Sequence, residues 1–149
     1  MIRKQILLFV YGTLRTEFSK IGFKLQSDRV RGCLFDLGAF PGYYPFEVQD
    51  SEGNPIELSV LGEVIAVEPR LLPLLDRYEG IDRGLYSREK VTTESGLLCY
   101  IYQCHPGLAR SGNLVMTGDW FDRDHDQSPD LTKIEKVEEE EYNETAPEA

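Results

Sequence analysis

The sequence predicts an α+β fold built on a small, largely antiparallel, barrel-like sheet. Three observations point there. Short segments rich in β-branched and aromatic residues outnumber helical patterns, helical signals are confined to two stretches, and the two kinds do not alternate as a parallel sheet requires. With 149 residues, 41% of them hydrophobic, the chain is long enough for one domain with a sizeable core.

The first element is the apolar run Leu7-Leu8-Phe9-Val10, which reads as a buried strand. It breaks off at Tyr11-Gly12-Thr13, with none of the Pro, Asn or Asp of an ordinary turn. A glycine at a strand exit lets a ligand approach the backbone with no Cβ in the way, and it also permits a positive φ. Successive N–H groups in such a turn make an anion-binding concavity. The competing reading is a tight strand-to-helix turn in which Thr13 bonds locally. Residues 17–26 allow a short helix whose first turn would face the same spot.

Further strands are expected at residues 32–37, 46–48, 59–67, 86–93 and 97–103. Residues 50–55 form a turn cluster, and Glu94-Ser95-Gly96 reads as a hairpin tip. Residues 40–45 read as an irregular loop whose aromatics cover either a cavity mouth or a barrel end. The best helical pattern is residues 68–79. Pro69 suits a first turn, apolar residues recur at Leu71, Leu74, Leu75 and Tyr78, and Gly80 stands as a C-cap. Pro73 fits only if it too lies in the first turn, which leaves about two regular turns.

Glu79 is out of place at the end of that helix. A helix C-terminus carries partial negative charge, so stability alone would put Lys or Arg there. An unfavourable dipole with partial burial would raise the Glu79 pKa, as a group that accepts and returns protons near neutrality requires. The alternative is a surface glutamate tolerated at small cost.

Composition excludes several classes. Residues 133–149 hold seven glutamates against two lysines, half of the formal net charge of −10, so the rest of the chain is only mildly acidic. Without a basic stripe there is no general nucleic-acid surface. No apolar run approaches a membrane span, no signal-peptide core precedes Tyr11, and a cytoplasmic protein is expected. Cys33, Cys99 and Cys104 read as reduced, partly buried thiols. Cys104-His105 lacks the second pair that structural zinc needs, and neither His105 nor His125 has a metal-type spacing, so no metal site is expected. Neither a phosphate-binding GxxxxGK[ST] nor a GxSxG nucleophile elbow is present. Residues 122–149 read as a solvated acidic tail following a domain of residues 1–121.

The chain resembles the gamma-glutamylcyclotransferase-like superfamily, which includes the AIG2-like and gamma-glutamylamine cyclotransferase branches. The likeness rests on residues 9–15 (FVYGTLR), residues 32–38 (GCLFDLG) with Pro41 after them, and Gly62-Glu63-Val64. It continues through residues 75–80 (LDRYEG) with Tyr86-Ser87-Arg88, and ends at Gly118-Asp119-Trp120. The resemblance implies a small mixed β-barrel with short helices. It implies that the loop of Tyr11, Gly12, Thr13 and Leu14 binds a glutamyl end through backbone donors, that Glu79 is the general acid/base, and that Tyr86 stands near the pocket. The implied reaction cyclises a small-molecule γ-glutamyl amide to 5-oxoproline and needs no cofactor. A non-catalytic binding or interaction module on the same fold is the alternative, and the sequence leaves the oligomeric state open.

Overall fold

The computed structural model describes residues 5–125 and 135–136. Its principal sheet contains β1 (Ile6–Val10), β2 (Gly22–Arg31), β3 (Cys33–Asp36), β4 (Pro41–Tyr44), β7 (Ser59–Val67), β8 (Tyr86–Thr92), β9 (Leu98–Cys104) and β10 (Asn113–Val115). The strand order is β10-β3-β4-β9-β1-β7-β2, with β8 paired to β9. The β1–β9 and β4–β9 pairs are parallel and the other pairs antiparallel, so the sheet is mixed but mainly antiparallel, as expected. It curls into a half-barrel accompanied by few, short helices, an α+β fold.

The central strands are apolar on both faces because both faces are covered. Along β1, Leu8 and Val10 enter one core cluster while Phe9, followed by Tyr11, enters the other. The same split runs through β7, where Ile65 and Val67 join the first cluster and Val60 and Val64 the second. A continuous apolar run is the pattern that such a doubly buried strand needs.

Two expectations fail here. Residues 17–26 are not a helix. A single turn, α1 (Leu14–Glu17), and a 3₁₀ turn (Phe18–Lys20) lead directly into β2, which pairs along β7 on both sides of a bulge at Leu25. Long-range pairing with β7 overrides a marginal local helical preference. Residues 40–45 are not an irregular loop either, since β4 lies between β3 and β9 with Tyr43 buried in the core. Pro41 is tolerated because it opens the strand.

Of the expected 46–48 strand only Val48 pairs, and the pairing runs one residue further, to Gln49. β5 (Val48–Gln49) lies between β6 (Pro55–Ile56) and β11 (Glu135–Lys136) in a separate three-stranded sheet. A 3₁₀ turn runs from Trp120 to His125, past Asp122, and the Arg123 guanidinium stacks 3.7 Å from the Trp120 ring. Apart from those turn residues and β11, the expected acidic tail lies outside the described residues.

The helix expected at residues 68–79 consists of a 3₁₀ turn (Pro69–Leu71) and α2 (Leu72–Tyr78). Pro73 sits in the first turn, and Leu75 is the helix residue buried against the core. Gly80 terminates it in the left-handed region (φ 72°, ψ 33°), where glycine alone carries no Cβ penalty. A third helix, α3 (Pro106–Ser111), carries no signal that the sequence reading used. His105 caps it, its Nδ1 accepting from the Gly107 N–H at 3.0 Å.

Candidate active site

The exit of β1, the end of α2 and the starts of β4 and β8 converge on one cavity of about 300 Å³. Tyr11, Gly12, Thr13, Leu14, Glu79 and Tyr86 all line it. Residues far apart in sequence thus meet at one place, because the parallel β1–β9 pairing brings the strand exit beside the hairpin that carries Tyr86.

The loop after β1 is held from its far side. Leu14 opens α1, and the carbonyls of Gly12 and Thr13 accept from the Arg15, Thr16 and Glu17 N–H groups at 3.0, 3.1 and 3.3 Å. Among the described residues, the N–H groups of Gly12, Thr13 and Leu14 donate to no protein acceptor. Thr13 makes no side-chain capping bond, so the local-turn reading of its hydroxyl is not what the fold uses. Gly12 is not among the positive-φ glycines, so a left-handed conformation is not the reason for glycine here. Space is the reason. A Cβ at Gly12 would lie 2.9 Å from Pro41 Cγ. Gly12→Val therefore forces Pro41, which lines the cavity, to shift. Its expected result is a folded protein, by circular dichroism, that binds any ligand held by the loop N–H groups more weakly, with KM rising at least about tenfold.

Arg15 fixes the loop immediately downstream. Its Nε donates to Glu63 Oε2 at 2.8 Å and its Nη1 to Asp119 Oδ1 at 2.7 Å. Lys24 Nζ lies 3.0 Å from the other Glu63 oxygen, which also accepts from Ser27 Oγ at 2.6 Å. Burial works to raise the Glu63 pKa, but the bonds from Ser27, Arg15 and Lys24 outweigh it and hold the carboxyl below its ordinary value. Glu63 and Asp119 are thus engaged in a clamp away from the cavity lining.

Glu79 sits at the α2 C-cap, its N–H donating to Leu75 O at 2.9 Å. Burial pushes its carboxyl up to about 7. The direction is the one expected, but burial is the cause and the helix end need not be invoked. One turn earlier, Asp76 accepts from Arg88 Nη1 at 2.9 and 3.0 Å and from the Tyr102 hydroxyl at 2.7 Å. These bonds pin α2 to β8 and β9 and so set where Glu79 lies. The sequence reading did not single out Asp76 or Tyr102, and it quoted Arg88 without a role; the pairing of a helix carboxylate with strand residues at positions 88 and 102 leaves no trace in local pattern.

The phenols of Tyr11, Tyr86 and Tyr102 are held as neutral hydrogen-bonding groups. Burial, reinforced by Cys104 and Glu79, drives the Tyr86 pKa far up, and burial does the same to Tyr11 and Tyr102. The Tyr86 hydroxyl donates to Pro41 O at 2.6 Å, which leaves its oxygen able to accept. The Tyr11 hydroxyl donates to Tyr102 O at 2.6 Å and accepts from the Tyr43 N–H at 3.1 Å, so it serves the sheet. Phe40, Tyr78, Glu17 and Arg83 complete the mouth. Cys33, Cys99 and Cys104 are buried, and burial raises the Cys104 thiol to about 12, too high for a nucleophile. Among the described residues no three His, Cys, Asp or Glu side chains gather to hold a metal ion.

A glycine-bearing loop and a half-buried glutamate thus share one cavity of a curled, mixed half-barrel. The family described as "Gamma-glutamyl cyclotransferase, AIG2-like" matches residues 8–122, and the chain belongs to that family. Over 97 residues the chain is 32% identical to a protein of Halalkalibacterium halodurans named "Putative gamma-glutamylcyclotransferase BH1612", covering 62% of this chain and 81% of that one. The solution structure of ytfP from Escherichia coli is 26% identical, with a TM-score of 0.58 over 80% of this chain and 99% of that one. The fold is shared with c4763, a uropathogenic E. coli-specific protein, at 17% identity and a TM-score of 0.63 over 82% of this chain and 97% of that one.

Proposed function

We propose that the protein is a γ-glutamyl cyclotransferase-type enzyme that converts a small γ-glutamyl amide to 5-oxoproline and releases an amine or amino acid. The observation that carries this reading is the placement of the Glu79 carboxyl, raised by burial to about 7, in the same cavity as the unused N–H groups of Gly12, Thr13 and Leu14.

The reaction is internal to the substrate. The α-ammonium gives a proton to Glu79, and the freed amine attacks the γ-carbonyl carbon. The new C–N bond closes a five-membered lactam as the amide C–N bond to the leaving group breaks. Two protons leave the α-nitrogen in all, and both end on the departing nitrogen, which departs as an ammonium. One carboxylate near neutrality serves for taking and returning them. Nucleophile and electrophile are already tethered, so the binding task is to fold the substrate into a near-attack shape. In this reading the N–H groups of residues 12–14 hold the glutamyl carboxylate, and the Tyr86 oxygen accepts from the α-nitrogen. The buried thiols suit a reducing compartment, and we place the protein in the cytoplasm.

The test is 5-oxoproline release from a panel of γ-glutamyl amino acids, γ-glutamyl amines and glutathione. Turnover of at least one, with stoichiometric release of the amine, is expected. A folded protein that binds these compounds but forms no 5-oxoproline is a binding module, and the proposal fails.

A further inference from the structure

The mouth of the cavity carries an uncommitted positive charge. Among the described lining residues Arg83 is the only cation, and its side chain is exposed. It forms no ion pair and donates no hydrogen bond to another described residue. Other charges nearby are committed: Arg88 is bound to Asp76 at 2.9 Å, and Glu17 is neutralised by Lys20 at 2.7 Å. Arg83 closes the 3₁₀ turn Ile81–Arg83, which follows the left-handed Gly80. A Cβ at Gly80 would lie 3.1 Å from Arg83 Nη2. The cation therefore lies beside Gly80, the residue that follows Glu79 in the chain.

We infer that Arg83 binds a carboxylate on the leaving group, so that the preferred substrates are γ-glutamyl amino acids or peptides and not γ-glutamyl derivatives of simple amines. The inference rests on the cyclotransferase reading. If Glu79 serves the scissile nitrogen, the group departing with that nitrogen begins beside Glu79 and extends toward the mouth. A planar guanidinium with no protein partner is matched to a carboxylate there, which it can grip with two parallel hydrogen bonds. In the cyclotransferase reading the glutamyl carboxylate has its own donors in residues 12–14, after the first strand.

The experiment compares γ-glutamyl-alanine with γ-glutamyl-ethylamide, two compounds that differ by one carboxylate on the leaving group. Wild-type protein is expected to favour the first by about tenfold in kcat/KM, the lower end for a hydrogen-bonded charge because Arg83 is exposed. Arg83→Gln should bring the ratio close to one, with the change falling on KM, and Arg83→Lys should retain part of the preference. Because Arg83 holds no protein partner, both variants should fold. Equal turnover of the two compounds by wild type overturns the inference while leaving the cyclotransferase reading intact. So does an Arg83→Gln protein that loses both substrates in equal proportion, since Arg83 would then hold the glutamyl end. If neither compound yields 5-oxoproline, the cyclotransferase reading itself fails for them, and the assignment of Arg83 fails with it.

Discussion

Glu79→Gln is expected to lower 5-oxoproline release by about 10³–10⁴-fold, the upper part of the range for loss of a general acid/base, because one group serves both the attacking and the departing nitrogen. Glutamine keeps the shape and a hydrogen-bonding oxygen, so KM should change little. Wild-type kcat/KM should rise with pH through about 7, where Glu79 ionises, and the variant's residual rate should lack that limb. The same substitution has an opposite effect on stability. A carboxyl whose folded pKa exceeds its ordinary value favours the fold when protonated. That contribution is complete below about 4.5 and is lost as pH rises through about 7. At pH 8 the glutamine variant should therefore be the more stable protein, by about 1–3 kcal/mol, whereas at pH 4 the two should melt together. A variant that keeps near wild-type turnover would remove Glu79 from the chemistry.

Arg15→Ala is expected to give the largest loss of stability among the substitutions considered, about 2–4 kcal/mol, because it strips a buried carboxylate of a charged partner. Glu63 is only 4% exposed and would keep Lys24 and Ser27, which places the cost below that of a wholly orphaned charge. For a chain of this size the melting temperature should fall by roughly 5–15 °C. Asp119→Asn should cost much less, since that carboxyl is 27% exposed and an amide oxygen can still accept from Arg15. Glu63→Gln and Asp119→Asn should both retain turnover. A catalytic defect in either, without a loss of stability, would place the proton transfer in this clamp and not at Glu79.

How much of this was legible without coordinates depends on the range of the forces involved. Residues 59–67 and the short helix ending at Gly80 could be read because their signals are local: apolar runs, a proline in the first turn, a glycine at the cap. β2 could not. Its sequence alternates poorly, with Phe23 and Leu25 exposed, and only pairing to β7 makes it a strand. β4 was obscured by its own proline and glycine, which are turn signals elsewhere and here open a strand in the middle of the sheet. In the candidate site, Glu79 stood out by violating helix-end electrostatics and Gly12 by interrupting a strand exit. Asp76 and Tyr102 did neither. They obey ordinary rules singly, and their importance lies in a pairing across more than twenty residues.

The Arg15 clamp also bears on motion. Its guanidinium ties the residue just after the 12–14 loop to β7 through Glu63 and to the turn after Gly118 through Asp119, three points far apart in the chain. A segment fastened in this way opens only when the sheet around it opens, so its fluctuations belong to the most stable cooperative unit of the molecule. The loop is then held in place before any ligand arrives. Amide hydrogen exchange in this loop should accordingly be governed by its own solvent exposure and by global opening, with no independent loosening on an intermediate timescale, and occupancy of the cavity should shield the N–H groups of residues 12–14 without altering exchange in β7.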